Sequence, residues 1–394
     1  MKYNFDEIID RRGTSAIKLD GVPALWGRND LMPLWVADMD FATAPFVTEA
    51  IRKRLENPVL GYTSKPDSYY QAIANWNKVR YGIEVEKEMI HFVPGIVPGI
   101  GMALNAFTEV GDKVLIQPPV YGPFHWLNER NSRILVTHPL KLVDGMYRMD
   151  METFREQVKG CKAFILCNPH NPGGLVWTEE ELKEVARICH EEGVLVFSDE
   201  IHADLTLPPY KHRPFASVSE EARQNSITFM SPSKAFNMPG LTASHALIFN
   251  SKLRRKFRRF METCEFDLGH VFAFLAVEAA YSHGTEWLDQ CLSYIQGNID
   301  YVDAFTKQHT PMIRVIRPQA SYLVWLDCRA MNLSQEALVD FFVDGAHLAL
   351  NDGTSFGAEG KGFMRLNVAS PRSVLEQAMR QLAEAYNRRF SVDS

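Results

Sequence analysis

Ser231-Pro232-Ser233-Lys234-Ala235-Phe236-Asn237-Met238-Pro239-Gly240-Leu241 sets one lysine among small hydroxyl residues and turn formers, just after a short apolar run. In a partly desolvated, cation-rich pocket a lysine pKa falls, and the amine can then form a Schiff base with a carbonyl. The hydroxyls of Ser231 and Ser233 suit a phosphate. Taken alone, Ser231-x-x-Lys234 also matches the serine and lysine of penicillin-recognising enzymes, and most lysines are merely solvated. What accompanies Lys234 therefore decides its reading.

Two segments accompany it. Phe197-Ser198-Asp199-Glu200-Ile201-His202 closes the apolar run Val194-Leu195-Val196-Phe197, which reads as a buried strand following a helix. Carboxylates at the carboxyl ends of such strands face the ligand crevice of open α/β sheets. Asp199 there either holds a proton on a heterocyclic nitrogen, the partner a pyridoxal phosphate ring needs as an electron sink, or caps the next segment. The second segment, Cys167-Asn168-Pro169-His170-Asn171-Pro172-Gly173-Gly174, follows the strand-like Ala163-Phe164-Ile165-Leu166. Its two Asn-Pro pairs and its glycine pair force a rigid turn at a strand end.

In this order and spacing the three segments resemble the pyridoxal-phosphate enzymes of the class I and II aminotransferase fold. Within it they look like the cystathionine β-lyase, or carbon-sulfur lyase, branch. His202 stands where many aminotransferases of the fold have a tyrosine, and Pro33-Leu34-Trp35-Val36-Ala37-Asp38-Met39-Asp40-Phe41 matches a signature of the branch. The resemblance runs from about Leu31 to about Arg372. It implies an α/β chain of the aspartate aminotransferase type (fold type I), with a mostly parallel sheet in a large cofactor-binding domain and a smaller C-terminal α/β domain.

The same resemblance implies roles for single residues. Lys234 would carry pyridoxal 5'-phosphate and, once freed, take the substrate Cα proton. Asp199 would keep the ring nitrogen protonated, Asn171 would bond the ring hydroxyl oxygen and contact substrate, and His202 would adjoin the cofactor. Tyr121, in Gln117-Pro118-Pro119-Val120-Tyr121, would stack on the ring, contact substrate and take part in catalysis. The turn Gly95-Ile96-Val97, with Ser231 and Ser233, would hold the phosphate. Tyr62 matches a tyrosine that reaches the phosphate of the neighbouring subunit, so a homodimer with shared active sites is implied. Arg365 aligns with the clamp for the substrate carboxylate. One departure stands out: many aminotransferases of the fold place a phosphate-neutralising arginine eight residues after the lysine, where this chain has Thr242.

Several of these positions also carry readings of their own. The glycine-rich Pro94-Gly95-Ile96-Val97-Pro98-Gly99-Ile100-Gly101 leads into a helical pattern over Met102 to Phe107, and a helix start favours phosphate. It does not complete a dinucleotide fingerprint, because Leu104 occupies the final glycine position. An aromatic ring at Tyr121 suits stacking. A guanidinium at Arg365 suits a bidentate grip on a carboxylate, or is a surface arginine on a strand.

Composition sets independent bounds. At 394 residues the chain exceeds the ~250 to 300 at which single cores stop growing, so two domains are expected. With 46% hydrophobic and 23% charged residues it reads as globular and soluble. A net charge of -6 gives no reason to expect nucleic acid as a partner. The charged start Met1-Lys2-Tyr3-Asn4-Phe5-Asp6-Glu7 lacks an apolar secretory core, and no segment reaches the ~18 apolar residues of a membrane span. A cytoplasmic protein without membrane partner is expected. The six cysteines form no C-x-x-C pair, so neither a disulfide framework nor a zinc knuckle is indicated. The spacing of Asp199, His202 and Asp204 fits no helical metal motif, and no metal is expected. The basic run Lys252 to Arg259 reads as a solvated helix face.

Along the chain, helical patterns alternate with short apolar runs. Thr178-Glu179-Glu180-Glu181 is a capping box that opens a helix ending at Gly193, directly before the Val194 strand. Further strands are predicted over Lys113 to Gln117, Arg133 to Thr137, Ile227 to Met230 and His245 to Phe249, implying a mostly parallel sheet. The large domain is assigned to 42–285. From Glu286 a long helical pattern leads to strands near Tyr322 to Leu326 and Phe363 to Val368 and a last helix after Pro371. Residues 286–394, with 1–41, are assigned to the small domain. The expected activity is elimination from cystathionine, cysteine or other S-substituted cysteines, giving pyruvate, ammonia and a thiol. The alternative is an aminotransferase, which shares the same constellation.

Overall fold

Apolar runs of four to seven residues become the strands of a seven-stranded sheet in the computed structural model, which describes residues 2–390. In chain order these are β1 (Ile90–Val93), β2 (Lys113–Ile116), β3 (Ile134–Thr137), β4 (Cys161–Cys167), β5 (Leu195–Asp199), β6 (Ser226–Met230) and β7 (Ser244–Leu247). Their order across the sheet is β1-β7-β6-β5-β4-β2-β3. Pairing is parallel from β3 through β6, and β7 runs antiparallel to both of its neighbours. The predicted strands all form, with ends shifted by one or two residues.

Helices cover both faces of this sheet, and each strand divides its side chains between them. Val114, Ile116, Ile165 and Phe197 join one core layer with Ile100, Leu104, Phe257 and Met261. Leu115, Phe164, Leu166 and Val196 join the other with Leu182, Val185 and Ile188. This alternation follows from the two-residue period of a strand, and burial on both faces explains why these strands read as uninterrupted apolar runs.

The helix Glu179–Glu191 starts at the predicted capping box: the Thr178 hydroxyl accepts from the Glu181 N–H at 3.2 Å, and Glu181 accepts from the Thr178 N–H at 2.9 Å. The basic run lies on the helix Ser251–Thr263, which buries Phe257 and Met261 and exposes Lys252, Arg255, Lys256 and Arg259. One boundary differs from the sequence reading. The glycine-rich turn is already the first turn of a helix, Ile96–Phe107. Pro98 is tolerated there because the first turn needs no intrahelical N–H donor. Gly99 is required for packing, since a Cβ would come within 2.9 Å of the Phe229 ring.

A second, antiparallel sheet is built from Arg314–Ile316, Leu323–Asp327, Phe363–Asn367 and Asn351–Asp352, neighbours in that order. The long helix Thr285–His309 and the last helix Arg372–Phe390 pack with it, through Ile295, Ile299, Val302, Leu375 and Leu382 among others. The N-terminal segment joins this part of the molecule: Met32–Pro33 pairs in parallel with Leu348–Ala349, and Phe5 packs edge-on against Phe41 and Trp287. Among the described residues no helix is long and apolar enough to cross a membrane.

Candidate active site

Strand register gathers the three decisive segments at one edge of the large sheet. Cys167, at the end of β4, pairs with Asp199 at the end of β5, and Asp199 pairs with Phe229 near the end of β6. The chain leaves β6 directly into Ser231 to Lys234. Because β7 is antiparallel it begins at this same edge, with Ser244 opposite Val93. A cavity of about 200 Å³ opens there, at the carboxyl ends of the parallel strands where ligands of open α/β sheets bind. Lys234, Asp199, Asn171, His202, Tyr121, Ser233 and the Gly95-Ile96-Val97 turn all line it.

Lys234 is half-buried in the wall of this cavity, and its Nζ donates to the carbonyl oxygen of Ala37 at 2.5 Å. Burial, reinforced by the positive charge of Arg365, brings its pKa down to about 8, so about a tenth of the amine is neutral at pH 7 instead of well under a hundredth. Ala37 belongs to the N-terminal signature segment, and two side-chain amides, the half-buried Asn237 and the buried Asn367, hold that segment in place. The Asn237 side chain donates to the carbonyls of Met39 and Phe41 and accepts from the Met39 N–H; Asn367 donates to those of Val36 and Asp38. The Tyr322 hydroxyl donates to Ala37 as well, at 3.0 Å.

Asp199 is the electrostatic counterweight. Burial pushes its carboxyl up to about 7, the Ile201 N–H at 3.0 Å works in the opposite direction, and Glu200 adds to the rise. A carboxylate so poorly solvated calls for a cationic N–H partner. Glu200 is turned away from the cavity and fully occupied: it accepts from Ser198 Oγ at 2.8 Å, from the Phe215 N–H at 2.8 Å and pairs with His212 Nε2 at 2.7 Å. Burial, then the charges of Lys234 and Arg365, holds His202 down to about 3. It is therefore a neutral ring facing the cavity, and its Nδ1 has no partner among the described residues.

Arg365 lies behind the cavity wall, on the strand Phe363–Asn367. Its terminal nitrogens donate to Asn171 Oδ1 at 3.2 Å, Trp35 O at 3.0 Å and Asn351 Oδ1 at 2.6 Å, while its Nε has no partner among the described residues. Burial lowers even this guanidinium to about 10. Asn171 is thus placed between Arg365 and the cavity. Tyr121 is nearly buried, its hydroxyl pKa raised by that burial against the pull of Arg365.

The opposite end is built for an anion. Gly95 caps the helix Ile96–Phe107 with φ of 136°, a conformation that side-chain-bearing residues rarely adopt. The N–H groups of Ile96 and Val97 precede the first intrahelical bond, from the Gly99 N–H to Gly95 O, so they face outward at the positive end of the helix. Ser233 adds a hydroxyl. Ser231 lies outside the lining: its hydroxyl is 2.7 Å from both Ala243 O and Ser233 Oγ, bracing Ser233 from behind. Thr242, at the position where many aminotransferases of the fold carry an arginine, lines the cavity in a left-handed conformation with its hydroxyl 3.3 Å from His270 Nε2. Tyr62 is fully exposed and outside the cavity of its own chain.

Several contributors carried no sequence signal of their own. Asn351 and Tyr322 sit in the C-terminal part without a recognisable motif, and Ala37 acts through its backbone, which any residue would supply. An amine, a carboxylate in need of a cation, an amide, a neutral imidazole and a helix start with a hydroxyl together suit a flat, phosphate-bearing heteroaromatic aldehyde.

The family model "Aminotransferase class I and II" matches residues 29–382. The chain is 41% identical over 384 residues to "Cystathionine beta-lyase PatB" of Bacillus subtilis, covering 97% of this chain and 99% of that protein. Among solved structures, cystalysin from Treponema denticola, containing pyridoxal 5'-phosphate, superposes with a TM-score of 0.95 at 32% identity, covering 98% of this chain and all of that one. The PLP-bound C-S lyase from Staphylococcus hominis superposes with a TM-score of 0.90 at 35% identity, covering 98% of each chain. The chain belongs to the aminotransferase class I and II family.

Proposed function

We propose that the protein is a pyridoxal-phosphate-dependent carbon-sulfur β-lyase that cleaves cystathionine, cysteine or related S-substituted cysteines to pyruvate, ammonia and a thiol. The observation that carries this reading is the Lys234 amine, deprotonatable near neutrality, in one cavity with Asp199 and Asn171. Lyase chemistry in preference to transamination is supported by the full-length similarity to a cystathionine β-lyase and to a C-S lyase.

When bound, pyridoxal 5'-phosphate supplies an electron-withdrawing ring that accepts the electron pair left at Cα. Lys234 would hold the cofactor through its amine and, as a free amine, would take the substrate Cα proton. Asp199 would pair with the ring nitrogen and keep it protonated, a cation that would relieve this buried carboxylate of its poor solvation. Asn171 would bond the ring hydroxyl oxygen, and Tyr121 would pack on the ring and contact substrate, with the neutral His202 beside it. The N–H groups of the Gly95-Ile96-Val97 turn and the Ser233 hydroxyl would hold the phosphate, with Ser231 supporting Ser233. Arg365 grips the substrate carboxylate, for which its Nε is available. Loss of the Cα proton to Lys234 lets the Cβ–S bond break with its electron pair on sulfur. The thiolate takes up a proton, and the remaining aminoacrylate reacts with water to give pyruvate and ammonia.

The working form in this reading is a cytoplasmic homodimer. Tyr62, exposed in one chain beside the exposed Val59 and Leu60, would reach the phosphate of the partner subunit. Residues 42–285 form the cofactor-binding domain, and 1–41 with 286–394 the smaller one.

The test is to measure thiol and pyruvate release from cystathionine, cysteine and S-substituted cysteines without any keto acid, beside amino-group transfer to an added keto acid. Release without acceptor supports the lyase. Transfer outrunning thiol release for every sulfur amino acid tried replaces it with the aminotransferase.

A further inference from the structure

A second cavity, of about 820 Å³, lies next to the first, and Ala37, Lys234 and Pro239 form the wall common to both. Its lining includes the apolar Ile9, Ile17 and Ile51 and the charged Arg11, Asp38 and Asp40. Arg11 forks onto Asp38 at 2.7 and 3.2 Å and lies 3.5 Å from Asp40. Lys18 Nζ is 2.7 Å from Asp40 and 3.7 Å from Asp38, and the Ser370 hydroxyl donates to Asp40 at 2.6 Å.

These two cations and two carboxylates cancel, yet they are not equally fixed. The Lys18 side chain is 1% exposed and anchors both carboxylates from below. Arg11 reaches them from a stretch without regular secondary structure and is 27% exposed. The exchangeable member is therefore Arg11.

We propose that this cavity is a subsite for the thiol half of substrates whose leaving group is itself a zwitterionic amino acid. Arg11 receives the distal carboxylate, and Asp38 with Asp40 receives the distal ammonium. The assignment rests on the lyase reading above. A cystathionine-type substrate held by one amino-acid end at Arg365 must place a second carboxylate and ammonium beyond its sulfur. Enclosing that pair is costly unless both charges are met. A neutral cluster with one partly exposed cation meets both without a change in net charge, whereas an alkyl tail gains only contact with the isoleucines. Arg11 is thus a specificity determinant.

The experiment compares kcat/KM for cystathionine with that for S-propylcysteine, whose tail is apolar, in the cofactor-loaded wild type and in Arg11→Met. The wild type should favour cystathionine by about tenfold or more, and Arg11→Met should cut that ratio about tenfold. Equal use of the two substrates by the wild type overturns the subsite, and so does an Arg11→Met ratio equal to the wild-type ratio in cofactor-loaded protein. The wild-type comparison stands even if the variant does not fold. If the wild type releases thiol from neither substrate, it is the lyase reading that fails.

Discussion

The amine of Lys234 donates to the carbonyl of Ala37 across 197 residues of sequence, at 2.5 Å. Through this contact the branch signature around Trp35 to Phe41 meets the lysine loop, and it explains why that segment is held so rigidly. A carbonyl that also accepts from Tyr322, in a segment tied down on either side by Asn237 and Asn367, gives the freed amine one place to dock, which leaves its lone pair directed by the protein instead of by solvent.

Asn367→Leu should loosen this arrangement. The change leaves the carbonyls of Val36 and Asp38 without their donor in a buried site, at a cost on the order of 3 kcal/mol. Urea unfolding checks it, and a midpoint equal to the wild type would contradict the role of the amide.

Asp199→Asn should keep the fold and bind cofactor while losing on the order of 10²-fold in turnover, because an amide cannot balance a protonated ring nitrogen. Turnover of the cofactor-loaded variant is the measurement, and near-normal rates would contradict the assignment.

Arg365→Lys should leave the cofactor colour intact and lower kcat/KM for every substrate. An ammonium cannot reproduce a planar fork, nor can it span Asn171, Trp35 and Asn351 together. Steady-state kinetics with absorbance spectra separate this outcome from simple loss of cofactor.

His245, on β7, is wholly buried, neither ring nitrogen has a partner among the described residues, and burial holds its pKa down to about 3. Its unfolded value is about 6.5. Below that pH the unfolded chain takes the proton and the folded chain does not, so its contribution falls by about 1.4 kcal/mol per pH unit until about pH 3. His245→Leu removes this term. Between pH 7.5 and 5.5 the variant should lose about 1 kcal/mol less stability than the wild type, as read from urea midpoints at the two values. Equal losses would contradict it.

Local chemistry made much of this legible in the sequence. Strands buried on both faces read as short apolar runs, the Thr178 to Glu181 box marked its helix, and the segments around Asn171, Asp199 and Lys234 carried the site because each joins a strand end to a turn. The start of the helix Ile96–Phe107 was hidden by Pro98 and Gly99, which weaken a helical pattern although the first turn tolerates both. Ser231 could not be told from Ser233, since only the tertiary position of Ala243 decides which hydroxyl faces the cavity. Asn351, Tyr322 and the Arg11 cluster were illegible for a related reason: their partners lie far away in sequence, and no spacing rule links them.

If Lys234 bears the cofactor, the purified protein is yellow, and borohydride reduction should fix the pyridoxyl group irreversibly to the chain. Peptide mapping by mass spectrometry then gives the direct reading. The modified residue should be Lys234, in the peptide containing Ser231-Pro232-Ser233; a pyridoxyl group on any other lysine, or on none, would contradict the site.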